Sequence, residues 1–185
     1  PIMMTTMAAL FGTLPIAVLG LLFRDFIETG ARSLDLIAGA LVVLALGLLV
    51  AERLGRRERG VEDLGFWQIQ FVGLCQALAL IPGCSRSGAT IMGGLLVGMR
   101  REPAARFSFL LGLPAIGASG LLELVDLLEG GLGGAGAVSL GLAVLSAAAA
   151  GYWSIGFLLR FLERHGTYVF VAYRLVLGLG LLLSS

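Results

Sequence analysis

Long runs without charged side chains are the feature that most restricts how this chain can fold. Residues 34–51, for example, contain no charged side chain other than Asp35. A helix of that length extends about 27 Å, close to the hydrocarbon thickness of a bilayer. Apolar runs predict membrane-crossing helices at residues 7–23, 34–51, 107–128, 138–159 and 167–183. The run 107–128 carries Glu123 and Asp126 toward its end, and Arg174 interrupts the last run.

The composition excludes an ordinary soluble domain. Of the 185 residues, 58% are hydrophobic and only 14% are charged, whereas soluble domains carry about 25% charged residues. The mean hydropathy is +0.97, and most of the long runs lack the polar face that outer helices need in water. The runs are also too long and too continuous for barrel strands. We therefore expect an all-α integral membrane protein that forms a single membrane domain over residues 1–185.

Segment 66–99 differs from the five runs because Pro82-Gly83 interrupts its apolar sequence. Proline and glycine together end a helix, and the polar residues Ser85-Arg86-Ser87 follow at once. Irregular polar backbone at membrane depth is tolerated only where it is buried in protein or lines a watery cavity. The sequence predicts a re-entrant helix–loop–helix hairpin at about residues 66–99, whose second helix begins at about Ile91.

The thirteen basic residues are all arginines, and they lie in short clusters between the apolar runs. They form no single basic face, so no nucleic-acid partner is expected. Arginine concentrates on the cytoplasmic side, which predicts that loops 52–65 and 160–166 and the end of the hairpin are inside. The glycine-rich loop 129–137 has no arginine and is predicted to be outside, so the hairpin tip points outward. The acidic residues of loop 52–65, including Glu52, are expected to be solvated.

The segment Ile81–Thr90 contains residue types that bind phosphate. Glycines let backbone N–H groups approach an anion, and the N-terminus of the following helix adds a partial positive charge. Ser85, Ser87 and Thr90 supply hydroxyl groups, and Arg86 supplies a permanent charge with a planar set of donors. An arginine between two apolar segments costs at least about 2.5 kcal/mol at mid-membrane and usually marks a functional cavity.

Structural roles compete with this interpretation. Serine and threonine cap helices, glycine allows close helix packing, and arginine reaches toward lipid headgroups. An ion pathway is a further alternative. Arg174 is the only other basic residue predicted inside a crossing helix. It is either a second phosphate contact or an ion-pair partner of Asp35 or Glu123.

Other reactive side chains give weaker signals. Cys75 and Cys84 have no second cysteine pair or histidine nearby and predict neither a zinc site nor a disulfide framework. The single histidine, His165, is expected to be solvated. Glu123 and Asp126 share a helix face, but an interfacial position near the helix end explains them. No metal ligand is therefore assigned within this chain.

The motif at residues 82–90, Pro-Gly-Cys-Ser-Arg-Ser-Gly-Ala-Thr, resembles the Pro-Gly-x-Ser-Arg-Ser-Gly-x-Thr signature of the undecaprenyl-pyrophosphate phosphatase family, also called bacitracin-resistance proteins. The resemblance covers essentially the whole chain. It extends through Leu14-Pro15, Gly20-Leu21-Leu22-Phe23, Gln76-Ala77-Leu78-Ala79-Leu80, Ala104-Ala105-Arg106-Phe107-Ser108-Phe109-Leu110-Leu111 and Pro114.

The resemblance implies a multi-pass enzyme of the bacterial cytoplasmic (inner) membrane, with its active site toward the outer side. Such an enzyme removes the terminal phosphate of undecaprenyl pyrophosphate, a polyprenyl pyrophosphate lipid, and recycles the carrier for peptidoglycan synthesis. Bacitracin sequesters the pyrophosphate form, so the enzyme confers resistance. The implied catalytic residues are Arg86, Ser85 and Thr90, and the implied phosphate-binding residues are Gly83, Ser85, Arg86, Ser87, Gly88 and Thr90.

One signature of the family is not present in this chain, namely an acidic Glu-x-x-x-Glu element followed by a Ser- and His-containing segment. The resemblance implies that this N-terminal part holds a divalent metal, Mg or Ca, and supplies the nucleophile or base. Phosphoryl transfer needs charge neutralisation and a positioned attacking group. The chain alone is therefore expected to bind a pyrophosphate and to hydrolyse it poorly.

Two alternatives to the enzyme stay open. A lipid-phosphate transporter or flippase-like protein also combines broken helices with an anion-binding tip. The chain is alternatively an inactive fragment of the phosphatase. The expected partners are membrane lipids and the lipid substrate, and a homodimer is a possible assembly.

Overall fold

The computed structural model describes residues 2–22, 33–130 and 137–184 of the chain. These parts form α-helices joined by turns, with an isolated β-bridge between Arg59 and Met99 in place of strands. The prediction of an all-α protein is confirmed for them. The helices are α1 (Ile2–Leu22), α2 (Leu34–Leu54), α3 (Phe66–Ala77), α4 (Arg86–Leu96), α5 (Arg101–Gly130), α6 (Ala137–Arg164) and α7 (Tyr168–Ser184).

Three stretches are long and apolar enough to cross a bilayer, judged by length and composition: Leu34–Leu54, Arg101–Leu127 and Val138–Arg164. The predicted crossings at residues 7–23 and 167–183 correspond to the shorter apolar stretches Thr6–Gly20 and Tyr168–Leu183. Most of the glycine-rich loop 129–137 lies outside the described residues. A membrane protein is supported, and its number of crossings stays a prediction.

The interrupted segment forms a helical hairpin. Helix α3 continues into a 3₁₀ turn at Leu78–Leu80, and the chain then reverses before α4. The Cys84 N–H donates to the Ile81 carbonyl oxygen at 3.0 Å, and Gly83 between them has φ +91°, which together with the preceding proline is the pattern of a type II turn. A Cβ on Gly83 would lie 2.5 Å from the Ile37 carbonyl oxygen. The hairpin tip therefore packs closely against the beginning of α2.

Helix α4 begins at Arg86, so the predicted start at about Ile91 was wrong. Ser85 is the N-cap, and its Oγ accepts a hydrogen bond from the Gly88 N–H at 3.2 Å. The polar residues that were interpreted as loop therefore form the first turn of a helix, because the cap satisfies one of the N–H groups that this turn exposes.

Helix α4 lies at the centre of the described structure, in contact with α2, α3 and α5. Most of its residues are buried, and one hydrophobic cluster, which includes Ile91 and Leu95, packs it against α2, α6 and α7. A second cluster joins α1, α3 and α5 around Phe107 and Leu111. The motif thus sits at the N-terminal end of a helix that neighbours hold on several sides.

Glu52 is fully buried, which corrects the prediction that it is solvated. Its carboxylate accepts hydrogen bonds from the Arg101 Nε at 2.7 Å, the Thr167 hydroxyl at 2.8 Å and the Arg57 Nη1 at 3.3 Å. These partners come from three separate segments, and local sequence does not reveal them. Glu52 therefore joins the end of α2, the beginning of α5 and the turn before α7 at one end of the structure. Ile37, which contacts the hairpin tip, is fifteen residues earlier on α2, or about 22 Å away.

Candidate phosphate-binding site

The first turn of α4 presents two serine hydroxyls. The Oγ atoms of Ser85 and Ser87 are 3.3 Å apart, and both residues are half-buried. N–H groups in the first turn of a helix lack intrahelical acceptors and carry a partial positive charge. Sequence reasoning placed both serines in this site, and the structure brings them together there.

Arg86 extends from this turn toward α5. Its guanidinium group lies against Gly112, where a Cβ would be 2.8 Å from Nη2 and closer still to Nη1 and Cζ. Nη1 is buried and has no hydrogen-bond partner within the described ranges. Among the described residues no carboxylate lies within 4 Å of Arg86. A buried N–H group without an acceptor is unfavourable, so this geometry is suited to an anionic ligand.

Arg174 on α7 provides a second cation at the same helix turn. A Cβ on Gly88 would lie 2.6 Å from its Nη2 and closer to Nη1, and Arg174, Ser87 and Gly88 line a cavity of about 70 Å³. Its Nη1 is also buried, without a partner in the part of the chain that the structure describes. In the described structure it forms no ion pair with Asp35 or Glu123. Of the predicted roles, a second phosphate contact fits this position.

Thr90 is buried beneath the turn rather than at its surface, with 1% of its area exposed. Its Oγ1 lies 2.9 Å from the Arg86 carbonyl oxygen and 3.1 Å from that of Ser87, and it also contacts the Ser108 hydroxyl on α5. The predicted contact with phosphate would require this hydroxyl to leave those partners. The geometry favours a structural role, in which Thr90 joins the first turn of α4 to α5.

The Thr90→Val variant tests this role. We expect the free energy of unfolding to fall by about 1–3 kcal/mol, because buried polar groups lose a partner, and the affinity for inorganic pyrophosphate to change less than about threefold. Thr90→Ser, which keeps the hydroxyl, should behave like the wild type in both respects. Chemical unfolding and calorimetric titration measure the two quantities. A large loss of affinity in Thr90→Val without loss of stability would instead indicate direct contact with phosphate.

No group of three or more His, Cys, Asp or Glu side chains that would suit a metal ion occurs within the described ranges. The side chains around the α4 turn are hydroxyls and guanidinium groups, which do not by themselves suit a divalent cation. His165 is exposed, as expected. Sequence reasoning missed Ser108 and Gly112, because only the packing of α5 against α4 brings them to the site.

Comparison with known proteins supports the resemblance. The sequence profile of the family described as "Bacitracin resistance protein BacA" matches residues 2–180. An undecaprenyl-diphosphatase of Mycolicibacterium vanbaalenii is 51% identical over 172 residues, which cover 91% of this chain and 62% of that protein. An undecaprenyl-diphosphatase of Chlorobium luteolum is 50% identical over 182 residues, which cover 93% of this chain and 64% of that protein. One from a Nostoc species is 48% identical over 181 residues, which cover 96% of this chain and 57% of that protein. The chain spans about three fifths of the length of these relatives.

Proposed function

This chain belongs to the bacitracin resistance protein family, and we propose that it forms the phosphate-binding part of an undecaprenyl-diphosphatase. The proposed reaction is hydrolysis of undecaprenyl pyrophosphate to undecaprenyl phosphate and inorganic phosphate. The names of relatives about 50% identical to the chain support the substrate and the reaction. They lend no support to a transporter.

The observation that carries the proposal is the pair of arginines at the first turn of α4. Arg86 and Arg174 each have a buried Nη1 that no described residue pairs with, and both lie within this turn or against it. A pyrophosphate carries several negative charges, and arginine suits phosphate oxygens in charge and geometry. The proposed phosphate-binding set is Gly83, Ser85, Arg86, Ser87 and Gly88, with Arg174 added and Thr90 in a supporting position.

In the proposed reaction a water oxygen bonds to the terminal phosphorus while the bond from that phosphorus to the bridging oxygen breaks. Negative charge develops on the bridging oxygen, which leaves with undecaprenyl phosphate. Preorganised cations at that position stabilise the transition state more than the ground state. We assign this role to Arg86 and Arg174, and we assign hydrogen bonding to phosphate oxygens to Ser85 and Ser87.

A divalent metal, Mg or Ca, is expected for the family, yet the described residues do not provide its ligands. We therefore propose that residues from outside the described part of this chain bind the cation, and we derive no step through it.

We propose that five helices cross the bacterial inner membrane and that the hairpin is re-entrant, with its tip toward the outer side. Two observations support this topology. Glu52 contacts Arg57, Arg101 and Thr167, which brings the segments predicted to be inside to one end of the structure. The hairpin tip lies toward the other end, where it packs against Ile37. The proposed partners are the surrounding membrane lipids, the lipid substrate and a second copy in a homodimer.

Phosphate release from undecaprenyl pyrophosphate tests the function. The chain would be purified in detergent, alone and fused to the N-terminal segment of a relative, and assayed with Mg or Ca. We expect activity in the fused protein and about a hundredfold loss of kcat/KM in Arg86→Ala and in Arg174→Ala, the effect typical of removing one donor to a developing oxyanion. Arg160→Ala, which removes an exposed arginine on α6, is the matched control.

Two results would contradict the proposal. An inactive fused protein that still binds undecaprenyl pyrophosphate would favour a carrier over an enzyme. Full activity in Arg86→Ala would show that the phosphate site lies elsewhere, whatever the reaction.

A further inference from the structure

An apolar groove runs along one side of the helical hairpin, between the hairpin and α2. One wall is the face of α2 from Leu36 to Gly47, and the other consists of Leu78, Ile81, Cys84 and Met92 of the hairpin. The groove has a volume of about 510 Å³ and almost no polar lining. Since it is open to the side, it faces the region that lipid occupies if α2 crosses the membrane.

Small residues on α2 make the groove deep. A Cβ added to Gly39 would meet no atom within 4 Å, so this position opens directly into the groove. The eleven residue-to-residue steps from Leu36 to Gly47 correspond to about 16 Å along the helix. Over that length a volume of about 510 Å³ gives a cross-section of about 30 Å². This suffices for a single hydrocarbon chain.

The groove ends next to the candidate phosphate site. Cys84, which lines it, directly precedes Ser85 and Arg86, and Arg174 lies near the Cys84 side chain. From there the groove follows α2 away from the hairpin tip toward Gly47 in the middle of the helix. A ligand that fills both places must combine a multiply charged anionic head with one long apolar chain.

We propose that the groove binds the first isoprene units of the polyprenyl pyrophosphate, while the pyrophosphate occupies the first turn of α4. This inference rests on the proposed function, because it takes its ligand from there. The chain then binds its lipid in a fixed orientation, with the head at the tip and the tail descending beside α2. Burial of the tail contributes affinity that inorganic pyrophosphate lacks.

A pair of glycine variants separates the groove from the head site. Gly39→Phe fills the groove, whereas Gly180→Phe places the same side chain on α7 at another position with no atom within 4 Å. For the purified chain in detergent, calorimetric titration would measure affinity for farnesyl pyrophosphate and for inorganic pyrophosphate. We expect Gly39→Phe to weaken the binding of farnesyl pyrophosphate at least about tenfold and to leave the affinity for inorganic pyrophosphate unchanged. Gly180→Phe should change neither.

Photocrosslinking provides the second measurement. A farnesyl pyrophosphate that carries a diazirine on its second isoprene unit should label peptides from residues 36–47 and 78–92 in the wild type, and Gly39→Phe should lose this labelling. Labelling elsewhere, or unchanged farnesyl affinity in Gly39→Phe, would overturn the groove assignment and leave the head site intact. Failure of inorganic pyrophosphate to bind the wild type would overturn the proposed function and the groove assignment with it. If the tail labels the groove in this chain but not in the chain fused to a relative's N-terminal segment, protein rather than lipid fills the groove, and the proposal is wrong.

Discussion

Replacement of Gly112 by alanine should remove most of the pyrophosphate binding while the protein stays folded. The new Cβ would lie 2.8 Å from the Arg86 Nη2 and closer to Nη1 and Cζ, so the guanidinium group has to move. It is the end of a flexible side chain, and alanine is about 1 kcal/mol better than glycine inside a helix, so the backbone has no reason to unfold. A charge-assisted hydrogen bond contributes about 1.5–3 kcal/mol. We therefore expect pyrophosphate affinity to fall about ten- to hundredfold.

The matched control for this variant is Gly117→Ala, on the same helix. A Cβ at Gly117 meets no atom within 4 Å, so both affinity and fold should be retained. Calorimetric titration with inorganic pyrophosphate gives the affinity, and thermal unfolding followed by circular dichroism gives the stability. Wild-type affinity in Gly112→Ala would mean that Arg86 does not bind the anion from its observed position. Unfolding of Gly112→Ala would mean that α5 and α4 pack too tightly for the arginine to move.

The architecture near the site follows largely from local sequence. Pro82-Gly83 marks the reversal of the hairpin because proline ends the preceding helix and only glycine readily adopts the positive φ that the turn requires. The beginning of α4 also follows from local sequence, because Ser85 has the residue type of an N-cap. The prediction that α4 begins at about Ile91 is wrong because polar residues are typical of loops but also occur in the first turn of a helix, as they do in α4.

Contacts between distant segments could not be predicted in the same way. In the sequence, Glu52 is one of several acidic residues in an arginine-rich linker. Its hydrogen-bond partners Arg101 and Thr167 are 49 and 115 residues away. Gly112 reads as an ordinary glycine of a membrane helix, where small residues serve packing. Arg174 was recognised because a charge within an apolar run is unfavourable wherever it packs. The sequence alone thus reveals a charged residue in an apolar helix, whereas the residues that it contacts can be identified only from the fold.

Replacement of Glu52 by glutamine should be the most destabilising single change that keeps side-chain size. The carboxylate is fully buried and accepts hydrogen bonds from Arg101, Arg57 and Thr167. Glutamine removes the negative charge, and its amide N–H group then faces the N–H and O–H groups that donate to the carboxylate. Breaking a buried pair costs about 3–5 kcal/mol, and we expect about 3 kcal/mol, because Arg101 and Arg57 are partly exposed, at 26% and 34%, and regain water. The free energy of unfolding in mixed detergent and SDS micelles measures the effect.

Glu102→Gln is the matched control for the Glu52 variant. Glu102 pairs with Arg106 one helical turn later, at 2.7 Å, but that arginine is 63% exposed. The Glu102 side chain is itself 19% exposed. Helical i,i+4 pairs with one exposed partner contribute about 0.3–0.5 kcal/mol, so this variant should unfold almost like the wild type. Equal losses in the two variants would show that Glu52 acts as an ordinary surface ion pair. A selective loss in Glu52→Gln would show that this carboxylate joins α2, α5 and the turn before α7.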